Sequence, residues 1–120
     1  MATILVIDDQ EPIRALLRVA LEDAGHEIRE ASHGRRGLEL YRERSADLII
    51  TDIVMPEMTG LELLLELTRN FLNVKVIAIS GAPEGEGELN VAKLLGARQT
   101  FQKPLDMEQL LSAVRYELAH

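Results

Sequence analysis

The sequence predicts a single α/β domain whose parallel sheet carries helices on both faces. Two features of the chain predict it. Three short runs rich in Ile, Val and Leu, at Ile4 to Ile7, Leu48 to Ile50 and Val74 to Ile79, are apolar throughout, as in strands buried on both sides. Segments of helical period lie between them, so that strand and helix alternate five times, a rhythm that implies right-handed crossovers. A length of 120 residues suits one core, and 47% apolar with 28% charged residues is the usage of a folded globular chain. The domain is therefore expected to span residues 1–120.

Each element has its own signal. After the first strand, Pro12 to Ala24 reads as a helix with Pro12 in its first turn. Ile13, Leu16, Leu17, Ala20 and Leu21 form its stripe, and Gly25 is its stop. His26 to Glu30 and Gln99 to Gln102 are weaker strand candidates suited to sheet edges. The second helix is expected over Gly34 to Arg44 with Leu38 and Tyr41 inward. The third begins at Thr59, whose side chain and Glu62 make a capping box, and its expected inner stripe is Leu61, Leu64, Leu65 and Thr68. A fourth is expected over Glu88 to Leu95, stopped by Gly96. The last runs from Asp106 with Met107, Leu110, Leu111, Val114 and Leu118 on one face. It ends close to the final residue, a position compatible with a longer parent chain.

Composition narrows the function. With 20 acidic against 13 basic residues the formal charge is −7, a field that repels nucleic-acid phosphates and anionic lipid headgroups. Aromatic residues are 3% with no Trp, too few for base-stacking platforms. The absence of Cys excludes disulfides, thiolate metal sites and cysteine nucleophiles and fits a reducing cytosol. The N-terminal apolar run stops at Asp8 and Asp9, too soon for a signal or membrane segment. A cytoplasmic chain that binds neither membrane nor nucleic acid directly is the expectation.

In open α/β sheets ligands bind beyond the carboxyl ends of the strands. Here the first strand ends in Asp8 and Asp9, the third in Thr51 and Asp52 and the fourth in Ser80 and Gly81, while Lys103 and Pro104 follow the fifth. Carboxylates within about 4 Å repel by roughly 4 kcal/mol per pair at an effective dielectric of 20, which a cation offsets. The candidate ligands are all oxygen, so Mg²⁺ is favoured over zinc or copper. Lys103 supplies a point charge for a phosphoryl oxygen, and the Ser80 hydroxyl can donate to another. A carboxylate in such a site can act as nucleophile and form an acyl phosphate. Asp52, the single acid at the end of the central strand, is the candidate, and the Asp8–Asp9 pair is suited to hold metal.

Over its whole length the chain resembles a response-regulator receiver domain of two-component signalling. The carrying residues are Asp8-Asp9 after ILVI, Asp52 in the run DIVMPEMTG, Ser80 after VIAI, Gly96-Ala97 and Lys103-Pro104. The resemblance implies a flavodoxin-like five-stranded sheet of order 2-1-3-4-5. It also implies that Asp52 accepts a phosphoryl group from a histidine kinase, a phosphotransfer protein or a small donor. Asp9, Asp52 and the backbone carbonyl of Val54 would bind Mg²⁺, with Asp8 helping through water. Lys103 and Ser80 would contact the phosphoryl oxygens and couple the event to the surface of the fourth helix, fifth strand and fifth helix. Such a domain is a switch and not a turnover enzyme. Output would pass to a downstream protein partner or a fused output domain, with a phosphorylation-dependent dimer as one form.

The chain departs from the family pattern at Thr100, where an aromatic residue is usual; Phe101, one place later, is expected to point to the core. Val54 and Ala82, each two residues beyond a site residue, offer nothing to position an attacking water, so slow self-dephosphorylation is expected. The glycine-spaced acidic stretch from Pro83 to Glu88 reads as a solvated loop or a lid. Two rival functions remain. One is a phosphate-independent receiver-like interaction module, supported by Thr100. The other is a Mg²⁺-dependent aspartyl phosphohydrolase, whose usual pattern of two acids two residues apart after the first strand is not met by Asp8-Asp9-Gln10. His26, His33 and His120 have no spacing that suggests catalysis.

Overall fold

The computed structural model describes residues 1–81 and 85–120, with residues 85 and 86 described by their backbone. Strand and helix alternate as β1 (Thr3–Ile7), α1 (Glu11–Asp23), β2 (Glu27–Ala31), α2 (Gly34–Glu43), β3 (Leu48–Asp52), α3 (Gly60–Asn70), β4 (Val76–Ser80), α4 (Gly85–Leu94), β5 (Gln99–Gln102) and α5 (Met107–Ala119). The five strands pair in parallel in the order β2-β1-β3-β4-β5, the flavodoxin-like arrangement, and the two weakly apolar strands take the edges. The central strands β3 and β4 are buried at every position.

Strand alternation divides the apolar residues between two cores. Leu5, Ile7, Ile49, Ile53, Val76 and Ala78 pack toward α2, α3 and α4, together with Leu38, Leu63, Leu67 and Ala92. Ile4, Val6, Leu48, Ile50, Ile77 and Ile79 pack toward α1 and α5, against Leu17, Leu21, Leu110 and Val114. A chain with one short apolar run per strand thereby covers both faces of one sheet.

Several local expectations hold. The Thr59 hydroxyl accepts from Glu62 N–H at 3.2 Å while the Glu62 carboxylate accepts from Thr59 N–H, a complete capping box. Asp106 caps α5 by accepting from Gln109 N–H at 3.1 Å. Leu38 and Tyr41 are buried, and the Tyr41 ring meets Phe71 edge-on with centroids 4.9 Å apart. Gly25 follows α1, and its N–H donates to the Glu22 carbonyl at 2.9 Å.

Others need correction. α3 buries Leu63, Leu64 and Leu67, while Leu65 is 42% exposed, so the helix presents a face rotated from the expected stripe. The run LELLLEL is apolar around most of its circumference, and packing against α2 and α4 selects the face. β4 begins at Val76 and not at Val74. α4 begins at Gly85, three residues ahead of the expected Glu88, so part of the anticipated acidic loop is helix. The remainder of that loop, Pro83 and Glu84, lies outside the described residues, as does Ala82. Phe101 turns to the α1–α5 core as expected, but it is only half-buried at the sheet edge.

The turn from β3 into α3 depends on close backbone contact. Gly60 N–H donates to the Ile53 carbonyl at 3.1 Å, and a Cβ at Gly60 would overlap the Asp52 carbonyl oxygen and Ile53 Cα. The backbone leaving Asp52 has no room to yield. Gly60→Ala is expected to cost about 1–3 kcal/mol, the usual range for overpacking a tight contact, read as a fall in the urea midpoint at constant slope.

Candidate functional site

Parallel pairing brings the carboxyl ends of β1 and β3 side by side. Ile7 is in register with Thr51, so Asp8 and Asp52 leave neighbouring strands together. On the other flank Ser80 is in register with Gln102, and Lys103 N–H donates to the Ser80 carbonyl at 2.7 Å. That bond fixes where the chain turns after β5. The Lys103–Pro104 peptide is cis. The stem of Lys103 runs over Gly81, where a Cβ would stand 3.0 Å from Lys103 Cδ, so the side chain reaches the site across a residue that has no side chain.

The outcome is one ammonium among acids. Lys103 Nζ lies 2.9 Å from Asp8 Oδ2 and 3.1 Å from Asp52 Oδ2, and it donates to Gln10 Oε1 at 2.9 Å. The second oxygen of each buried carboxylate meets a backbone N–H: Gln10 N–H donates to Asp8 Oδ1 at 2.8 Å and Val54 N–H to Asp52 Oδ1 at 3.0 Å. Asp8 and Asp52 are buried and Asp9 is exposed, and the three offer oxygens within 4.8 Å of one another. Of the side-chain polar atoms described as wholly buried, Asp8 Oδ2 has no well-directed hydrogen bond; its contact with Lys103 is close in distance but poorly aligned. An oxygen-only set with a buried acceptor left over fits a hard divalent cation.

Electrostatics follow from burial. Desolvation pushes the Asp8 carboxyl above its ordinary value, with a further push from Asp52, against the opposing pull of the Gln10 N–H and Lys103. For Lys103, desolvation acts downward, but the hydrogen bonds and charges of Asp8 and Asp52 outweigh it and raise its pKa. The ammonium is therefore firmly charged, and it is shared by the two buried acids.

An open cleft of about 530 Å³ is lined by Asp9, Gln10, Asp52, Val54, Gly81 and Lys103, among others. A larger one of about 710 Å³ lies at the opposite ends of the strands, against Tyr41, Asp47, Phe71 and Lys75. The smaller cleft is the candidate, because it holds the acid cluster at the carboxyl ends of the strands. Of the residues singled out in the sequence, Asp8, Asp9, Asp52 and Lys103 converge there. Ser80 is wholly buried at the end of β4, its carbonyl bonded to the start of the Lys103 turn. Val54 is 43% exposed at the rim. Thr100 is half-buried one residue ahead of Phe101. His33 is used structurally: its Nδ1 accepts from Arg36 N–H and caps α2. Gln10 was not evident from the sequence as a site residue. Its only signal is its place directly after the acidic pair, at the N-cap of α1.

The model for the response regulator receiver domain matches residues 4–115. The chain is 34% identical to the phosphate regulon transcriptional regulatory protein PhoB of Pseudomonas aeruginosa, over 94% of this chain and 50% of that protein, so it spans about half the length of this relative. Its structure resembles a response regulator receiver domain protein of Clostridium thermocellum with a TM-score of 0.93 and 30% identity, covering 99% of this chain and 95% of that one. It also resembles the response regulator TrrA of Thermotoga maritima, solved in complex with Mg²⁺ and BeF, with a TM-score of 0.88 and 30% identity over 98% and 99% of the two chains. Among the described residues no helix is long and apolar enough to cross a membrane.

The raised pKa of Asp8 fixes the sign of a pH dependence. The unfolded chain loses this proton near the ordinary value of 3.8 while the folded protein holds it longer. Ionisation of Asp8 thus opposes folding increasingly as pH rises above about 4, levelling off once the folded carboxyl has also ionised. Without metal, Asp8→Asn is expected to be more stable than wild type at pH 7, with the difference shrinking toward pH 4. Thermal denaturation at both pH values checks this. Mg²⁺ at a hundred times its dissociation constant is expected to stabilise the wild type by about 2.7 kcal/mol.

Proposed function

The chain belongs to the response-regulator receiver family of two-component systems, and on that premise we propose that it is a phosphorylation-operated switch with Asp52 as phosphoacceptor. The observation that carries this reading is the single ammonium of Lys103 held between Asp8 and Asp52. An acid at the end of the central strand, beside a cation that can follow charge onto a phosphoryl oxygen, is suited to accept that group and not to turn over substrate.

In this reading a carboxylate oxygen of Asp52 attacks phosphorus. The new P–O bond forms as the bond to the donor breaks, and the donor, such as a phosphohistidine imidazole, leaves with the electron pair and takes up a proton. Asp9, Asp52 and the Val54 backbone carbonyl would hold Mg²⁺, with Asp8 assisting through water. When bound, the ion neutralises charge on the incoming phosphoryl oxygens. Burial of Asp52 limits access of water to the acyl phosphate. Lys103 and Ser80 would contact the phosphoryl oxygens. Because the Ser80 carbonyl is bonded to the Lys103 N–H, movement at either is felt at the junction of β4 and β5, beside α4 and α5. Upstream, a histidine kinase or phosphotransfer protein in the cytoplasm would donate. Downstream, a protein partner or a fused output domain would read the altered α4-β5-α5 surface.

Incubation with acetyl phosphate and Mg²⁺ is expected to add one phosphoryl group, read by intact mass. Asp52→Asn and a metal-free sample should show none. Steady phosphate release from simple esters would point instead to a hydrolase, and the absence of an adduct on a folded, Mg²⁺-binding protein to a phosphate-independent module. Val54, apolar at the cleft rim, should leave the adduct long-lived. Val54→Asn, which offers an amide to position water, is expected to shorten its half-life by on the order of tenfold, the kinetic effect of one useful hydrogen bond.

A further inference from the structure

Gln10 touches the cluster twice and has no part in the reading above. Its backbone N–H aims Asp8, and its side-chain oxygen takes one N–H of Lys103 at 2.9 Å. The orientation of the amide follows from chemistry, since an ammonium has donors only and can pair with the oxygen but not with the NH₂. An ammonium also has three N–H groups. Here three acceptors lie within 3.1 Å, Asp52 Oδ2 and Gln10 Oε1 as hydrogen-bond partners and Asp8 Oδ2 as a close ion pair. Each of them holds the ammonium, two by directed hydrogen bonds and Asp8 by charge.

A phosphoryl group on Asp52 brings strongly accepting oxygens. For Lys103 to turn toward one of them while keeping its place beside the two buried carboxylates, the partner it can give up is the amide. The neutral amide is the weakest of the three, because the two carboxylates also attract the ammonium by their charge and the amide does not. Gln10 is also exposed at the cleft, so the released amide can be solvated at once.

Resting on the receiver reading, we propose that Gln10 is a positioning residue: its side-chain oxygen holds a Lys103 N–H for which a phosphoryl oxygen competes, and so weakens the site's affinity for a phosphoryl group. The contact is made in the unphosphorylated protein and broken in the phosphorylated one, and an interaction present only in the starting state opposes the change.

The test titrates wild type, Gln10→Met and Gln10→Glu with beryllium fluoride at saturating Mg²⁺, following backbone amide NMR signals. Met keeps the length and removes the acceptor; Glu keeps the acceptor and charges it. Gln10→Met is expected to bind about threefold tighter than wild type and Gln10→Glu about tenfold weaker, a split in opposite directions at one position. Mg²⁺ alone should bind Gln10→Met within about twofold of wild type, because the backbone N–H at position 10 still serves Asp8. Equal beryllium fluoride affinities in the three proteins would overturn the proposal. So would parallel weakening of Mg²⁺ and beryllium fluoride binding in Gln10→Met, the mark of a role confined to aiming Asp8. A wild-type protein that binds Mg²⁺ but no beryllium fluoride would remove the receiver reading itself, and this inference with it.

Discussion

One ammonium shared between two buried carboxylates, with a third acid beside them, is the constraint on which the rest of the site depends. With Asp8, Asp9 and Asp52 ionised, Lys103 leaves the cluster negative, and burial of two of the acids removes the water that would screen them. Every other feature of the cleft moderates that imbalance. Two backbone N–H groups, from Gln10 and Val54, each satisfy one carboxylate oxygen, and the remaining buried oxygens are turned to the ammonium. The site is thus built short of positive charge, a condition that suits it to a divalent cation.

The sheet keeps these groups close. A carboxylate pair at the ends of adjacent parallel strands cannot drift apart without breaking the β1–β3 ladder, whose residues are wholly buried. Lys103 arrives from the far edge, anchored by its own N–H to Ser80 and by the passage of its stem over Gly81. Gly60 lets the backbone beyond Asp52 close tightly onto the start of α3. The buried ladder and the close contacts at these two glycines fix where the chemistry sits.

Much of this was legible in the residues. Continuous apolar runs identified β1, β3 and β4 because strands buried on both faces have no polar side to show, and the poorer runs at Glu27–Ala31 and Gln99–Gln102 took the edges. The capping box at Thr59 was readable because its hydrogen bonds are local. The inner face of α3 was not, since a helix rich in leucine on several sides has its orientation set by its neighbours. The start of α4 was also missed, because two glycines close together argue against helix on intrinsic propensity, and the structure places helix there nonetheless. Gln10 escaped notice because its partner, Lys103, is ninety-three positions away in sequence.

By itself, then, the sequence determined the α/β class, the strand ends and the residue types gathered there, since these follow from local periodicity and from which acids and bases close each apolar run. The resemblance to receiver domains added the strand order and the roles. Only the tertiary structure decided how the charges are shared: that Lys103 contacts Asp8 and Asp52 at once, that Asp8 Oδ2 is buried without a directed hydrogen bond, and that Gln10 accepts from Lys103 beside Asp52. The physical reason is that ion pairing and burial depend on distances between side chains far apart in the chain, which no local pattern encodes.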